Sequence, residues 1–198
     1  MINLDDETLF IGSGSRRHCY HHPDDPNLCI KITPEDRQRQ QNREARYYRR
    51  MARRGASMKH VAKYHGRVNT SRGPGHIYDL VLDPDGSISK SLTDYLNEEK
   101  PSREELVRLI VDLKDHLLKE RIMFYDLNGN NVLCQEKADG SLHFMFIDGL
   151  GEIVALAFLN VFRAWFLRTF NRRWVRVVRR FHRRHPWTTE YSFDSQDS

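Results

Sequence analysis

The sequence predicts an α+β fold of two lobes, a small β-rich lobe followed by a helical one. Three observations carry that expectation. Short runs with strand-like alternation cluster in the first part of the chain, joined by tight turns. Helical periods dominate the second part, broken by a single loop and hairpin. The two kinds of element are segregated, whereas a parallel sheet would alternate them. The 198 residues, 39% hydrophobic and including 10 Phe, 8 Tyr and 3 Trp, suffice for the core of one domain. That domain is expected over 1–188, with the lobes meeting near 83/84, and 189–198 is expected to be a disordered acidic tail.

In chain order, TLFIGSG reads as a strand that ends in glycines, and RRHCYHHP as a second strand before the turn PDDPN. LCIKIT is a third, so the three form an antiparallel meander. From Pro34 the character changes. PEDRQRQQNREARYYRRMARRG holds no β-branched residue, starts at a proline and closes at Gly55, which are the signs of a helix. VAKYHGRVNT and HIYDLVLDPDG return to strand patterns around a turn at SRGPG, and SLTDYLNEEK is a short helix. PSREELVRLIVDLKDHLLKERI opens on a Ser102-x-x-Glu105 capping signature, and Leu106, Leu109, Ile110, Leu113 and Leu117 keep helical spacing. FYDLNGNNVLCQEK, the turn ADG and SLHFMFIDG read as a loop and a hairpin, and the remainder is helical and basic.

Composition narrows the setting. Cys19, Cys29 and Cys134 form no C-x-x-C pair, and the acidic opening MINLDDETLF lacks an apolar signal region. Both point to a reducing cytoplasm. The net charge of +5 is local: nine of the 32 basic groups fall between Ile153 and Thr189, which holds no acid, leaving 23 against 27 acidic groups elsewhere. The basic character therefore seeks a local partner.

Gly12-Ser13-Gly14-Ser15 invites a phosphate-binding reading. A dinucleotide fingerprint needs a helix after the glycines, and RRHCYHHPDDP has no helical period. A Walker A loop needs Lys-Ser/Thr after its last glycine, which is absent. What remains is a glycine-rich turn between antiparallel strands, able to lie over a nucleotide and offer backbone N–H groups, or else an ordinary hairpin turn.

Groups suited to phosphoryl transfer then follow in order. Lys31, between Ile30 and Ile32, points to the opposite face of its strand. Glu44 lies mid-helix among eight arginines between Arg37 and Arg54, yet its helical neighbours Gln40, Gln41, Tyr47 and Tyr48 carry no charge, which leaves it for a distant cation such as Lys31. Asp126 and Asn131 lie five apart in a loop, and Asp148 ends an apolar strand. Lysine neutralises phosphate oxygens, Asn and Asp hold magnesium through oxygen, and a further Asp orients or deprotonates the acceptor hydroxyl. Each residue alone has an ordinary explanation as a surface, turn or cap residue; their order is what argues for chemistry.

That order resembles the protein-kinase-like fold, with a shortened helical C-lobe. The stretches GSGSRRHCYHHPDDPNLCIKI, REARYY, YHGRV, IYDLVLDPDG and NGNNVLC closely resemble the bacterial YrbL family of PhoP regulatory network proteins, over about Leu9 to Arg184. The resemblance implies that Gly12, Ser13, Gly14 and Ser15 cover the phosphates of ATP. It implies that Lys31 contacts them and pairs with Glu44, that Asp126 is the catalytic base, and that Asn131 and Asp148 are Mg2+ ligands. Arg17 occupies the third-glycine position, where it either meets the phosphates or faces solvent. Phe124 and Tyr125 replace the His-Arg before the catalytic Asp, and Gly149-Leu150-Gly151 displaces the glycine expected after Asp148. Little chain follows for a protein substrate to rest on. The expected activity is therefore an ATP- and Mg2+-dependent phosphotransferase acting on a small-molecule, lipid or other acceptor, the alternative being a nucleotide-binding pseudokinase-type module without turnover.

In the basic region, Phe158, Phe162, Trp165 or Phe166, and Phe170 keep helical spacing, as do Trp174, Val177, Val178 and Phe181. Asn160 and Arg163 interrupt the run, so it is too short to span a bilayer. Two readings stay open and are compatible: C-lobe helices with solvated arginines, or an Arg-rich 161–185 segment lying on anionic lipid at the inner membrane face. No base-reading motif supports nucleic acid as a partner. His182 and His185 belong to no metal-ligand pattern.

Overall fold

A computed structural model describes residues 1–14, 17–34, 38–151, 163–189 and 193. It divides into two compact units, Met1–Ile88 and Ser89–Ser198.

The first unit is a five-stranded antiparallel sheet built from β1 (Phe10–Ser13), β2 (His18–His22), β3 (Asp25–Ile32), β4 (Tyr64–Thr70) and β5 (Gly73–Asp79), in the order β1-β2-β3-β5-β4. The expected meander forms its first half. Strand alternation gives the sheet two different faces. Tyr20, Ile30 and Ile32 join Leu4 in a buried apolar cluster, with Ile2, Leu9, Val68 and Ile77 packed on it. Lys31 points the other way, opposite Cys19 of β2 and His76 of β5.

Helix α1 (Gln38–Arg53) follows β3. Its residues Glu44, Ala45, Tyr47, Tyr48 and Met51 are buried, and Tyr48 packs edge-on against Tyr78 of β5. The helix closes as expected at Gly55, where φ is 68°. Gly55 donates its N–H to the Ala52 carbonyl and Ala56 to the Met51 carbonyl, the paired bonds of a left-handed C-terminal cap. Residues 35–37, in the expected first turn, lie outside the described residues.

The turn expected at SRGPG is shorter than the pattern suggests, because Gly73, Pro74 and Gly75 already belong to β5. The Thr70 hydroxyl donates to the Gly73 carbonyl at 2.6 Å, closing the connection at Ser71-Arg72. Gly75 is set by packing rather than by a turn: a Cβ there would meet Ile30 Cγ2 at 2.6 Å.

The second unit holds α2 (Leu92–Asn97), α3 (Arg103–Lys119), the hairpin β6 (Val132–Glu136) and β7 (Leu142–Phe146), and α4 (Arg163–Arg184). Ser91 and Asp94 form a reciprocal capping box at the start of α2, and Ser102 accepts the Glu105 N–H at the start of α3. The five apolar residues predicted to face inward on α3 are all buried. Helix α4 buries Phe166, Phe170 and Trp174, one turn apart, and leaves most of its arginines exposed. The expectations at Ser15 and for the run from Glu152 through Phe158, Asn160 and Phe162 lie outside the described residues. Of the tail 189–198, Thr189 and Phe193 are described, and Phe193 is buried against Phe181 and His182.

Candidate active site

In the first unit, β1 carries Gly12 and Ser13 to the turn, which closes with the Gly14 N–H donating to the Arg17 carbonyl at 2.9 Å. A Cβ on Gly12 or Gly14 would meet nothing within 4 Å, and neither has positive φ. The fold itself therefore does not demand these glycines. Their use lies in leaving the backbone open to close approach.

Arg17 is turned inward rather than to solvent. Its guanidinium donates to Glu44 Oε2 at 2.6 Å, and the pair is buried, with side-chain exposures of 12% and 1%. The arginine at the third-glycine position thus ties the turn to the middle of α1. Lys31, expected to pair with Glu44, places Nζ 4.9 Å from the ring centre of Tyr78, a cation–π distance. Its carbonyl accepts from Gln41 Nε2 of α1 at 3.1 Å. His76 Nδ1 lies 3.1 Å from the Tyr64 hydroxyl. Burial, reinforced by Arg67, Arg17 and Arg49, pushes the His76 imidazole down to about 4, so it is neutral at pH 7. A hydrogen bond from Cys29 holds the Cys19 thiol down to about 7, with Lys31 adding to the effect against burial, while Cys29 itself is pushed up by the same contact.

In the second unit, the structure brings together three residues that the sequence separates by 22 positions. The Asn131 side-chain amide donates to the Asp126 carbonyl at 2.9 Å. The Ile147 N–H donates to the Asn131 carbonyl at 2.9 Å. The Gly149 carbonyl accepts from the N–H of Tyr125 at 2.8 Å and of Asp126 at 3.3 Å, while its own N–H donates to Asp148 Oδ1 at 2.7 Å. Asp126, Asn131 and Asp148 are thereby fixed by backbone bonds. Gly149 has a φ of 92°, and a Cβ on it would meet the Asp126 carbonyl oxygen at 2.4 Å. The displaced glycine of the sequence is therefore the residue that lets the two aspartate segments touch.

The donor set fits Mg2+. Asn131 spends its amide nitrogen on Asp126, so its Oδ1 is the atom available to a cation, and Asp148 adds carboxylate oxygen.

Sequence reasoning missed the contribution of α4. Phe124 packs edge-on against Phe170 and Trp174, and the Arg173 guanidinium donates to the Phe124 carbonyl. Two turns further on, Arg180 Nη1 lies 3.7 Å from Asp126 Oδ1. The only sequence signal was the seven-residue spacing of Arg173 and Arg180 on the edge of the aromatic stripe.

The family profile described as PhoP regulatory network protein YrbL matches residues 2–182. The chain belongs to the YrbL family. It is 30% identical over 183 residues to YrbL of Escherichia coli K12, a match that covers 90% of this chain and 87% of the relative. YrbL of Shigella flexneri matches to the same extent. Among solved structures, a mutant form of the PknI kinase domain from Mycobacterium tuberculosis aligns with a TM-score of 0.50 at 16% identity. That alignment covers 71% of this chain and 57% of the kinase domain, so the chain spans little more than half of that domain's length. The fold is accordingly protein-kinase-like. No helix among the described residues is long and apolar enough to cross a membrane.

Proposed function

We propose that this YrbL-family chain is an ATP- and Mg2+-dependent phosphotransferase whose acceptor is a small molecule or lipid. The observation that carries the reading is the backbone-fixed cluster of Asp126, Asn131 and Asp148. In this reading Gly12, Ser13, Gly14 and Ser15 cover the phosphates, and Lys31 draws charge from them. Asn131 and Asp148 hold Mg2+, which when bound neutralises phosphate oxygens. Asp126 accepts the proton of the acceptor hydroxyl as its oxygen attacks the γ-phosphorus. The bond from that phosphorus to the bridging oxygen breaks, ADP leaves, and Asp126 returns its proton to solvent. The exposed arginines of α4 suit work against an anionic surface at the inner membrane face.

A second reading, a nucleotide-binding module without turnover, draws support from the two acidic groups that already face arginines: Glu44 with Arg17, and Asp126 with Arg180. ATP is expected to raise the melting temperature only with Mg2+ present, and Asp148→Asn to remove that dependence. ATP hydrolysis or transfer that disappears in Asp126→Ala supports the enzyme. Mg2+-dependent binding with no hydrolysis in the parent supports the module.

A further inference from the structure

The arginines of α4 are not distributed at random around the helix. Arg173, Arg176, Arg180 and Arg184 recur at three- and four-residue intervals, so they share one flank of the aromatic stripe. That flank extends about 16 Å along the helix axis. Arg173 ties it to the Phe124 carbonyl, and Arg180 brings it beside the Asp126 carboxylate. Arg176 and Arg184 are exposed and form no ion pair among the described residues. The whole helix carries no acid to neutralise them.

Such a flank is poorly satisfied by Asp126 alone. The Arg180–Asp126 contact is long, and both side chains are about half exposed (47% and 48%). Water competes for it, so the guanidinium is released at little cost. Guanidinium groups bind phosphate oxygens in paired hydrogen bonds, and an array of them raises the local concentration of anions. In the phosphotransferase reading the transferred phosphoryl group already has Lys31 to offset its charge, whereas an acceptor that brings its own negative charge gives the arginines beside Asp126 a partner.

We propose that the acceptor is a hydroxyl compound that already carries a phosphate, and that Arg180, flanked by Arg176 and Arg184, holds this phosphate beside Asp126. The proposal rests on the phosphotransferase reading for its chemistry, but not for its binding. The hydroxyl meets Asp126, the resident phosphate meets the arginines, and transfer from ATP follows the step described above. The phosphate can belong to a soluble metabolite or to a lipid headgroup.

The test measures binding without nucleotide. Glycerol 3-phosphate in solution, and phosphatidylglycerol vesicles set against phosphatidylcholine vesicles, serve as the two probes. The parent chain is expected to bind at least one of them, and Arg180→Ala to weaken that binding by roughly tenfold or more. Arg168→Ala, more than three turns before Arg180 on α4 and about 18 Å from it along the axis, is expected to leave it within about twofold, as a distant surface charge does. Binding of the soluble probe alone identifies a metabolite, and binding of the anionic vesicles alone identifies a lipid. The proposal is overturned if the parent binds neither probe, or if loss of Arg168 weakens binding as much as loss of Arg180. Stabilisation by ATP and Mg2+ is read separately in every variant. Its absence from the parent removes the phosphotransferase reading, whereas its presence in an Arg180→Ala chain that no longer binds phosphate shows the two sites failing independently.

Discussion

Two arginine–carboxylate contacts at residues expected to be functional, Arg17–Glu44 in the first unit and Arg180–Asp126 in the second, differ in almost every physical respect. Arg17 and Glu44 meet at 2.6 Å with side chains nearly excluded from water. Arg180 and Asp126 stand 3.7 Å apart and half exposed. In the first pair, removing one partner takes a close counter-charge from a group in a poorly solvated place, so the contact behaves as part of the fold. In the second, solvent and salt screen the charges, and a ligand can replace either partner. The same two side-chain types therefore do different work, and burial decides which.

Replacing Arg17 with Ala tests the buried pair most directly. It is expected to cost roughly 3 kcal/mol of unfolding free energy, nearly independent of salt, in denaturant melts at low and high ionic strength. A cost that vanishes in salt would place this contact in the same class as the exposed one. A smaller effect comes from pH. His76 has its folded value held down to about 4 by burial, then by Arg67, Arg17 and Arg49. The unfolded chain then binds more protons below its ordinary value of about 6.5. Stability is therefore full above that pH and falls as pH drops toward 4. In the Arg17→Ala chain the folded value rises, so the loss across this window should shrink; an unchanged slope would remove Arg17 from the neighbourhood of His76. The smallest change is expected from Arg180→Ala, whose unfolding free energy should stay within about 0.5 kcal/mol of the parent. A loss several times larger would make Arg180 a structural residue.

The sequence revealed what local rules control. The three-strand start, the cap at Ser102, the inward face of α3 and the opposed directions of Lys31 and its isoleucine neighbours all follow from periodicity and capping, and all are present. The residues Asp126, Asn131 and Asp148 were legible as types in a fixed order, and the second unit joins them through the Asn131 amide and bonds between backbone groups. What local rules could not reveal is pairing across distance. Nothing near Glu44 in the chain points to Arg17, 27 residues earlier. The place of Gly75 depends on Ile30 lying in the next strand, and the value of Gly149 on the Asp126 carbonyl standing against it. Arg180 became relevant only once Phe170 and Trp174 had docked on Phe124.

That docking has a consequence for the order in which the molecule matures. The loop bearing Asp126 leaves the ribosome well before the helix that braces it. Phe170, Arg173 and Trp174 are needed to hold Phe124 in place, and they are translated some fifty residues later, seconds afterwards at ordinary elongation rates. A nascent chain halted before Arg163 would carry all three acidic and amide groups of the cluster and lack the surface against which their loop packs. The Asp126 loop is thus braced only once helix α4 has been synthesised, a timing set by where the aromatic stripe lies along the chain.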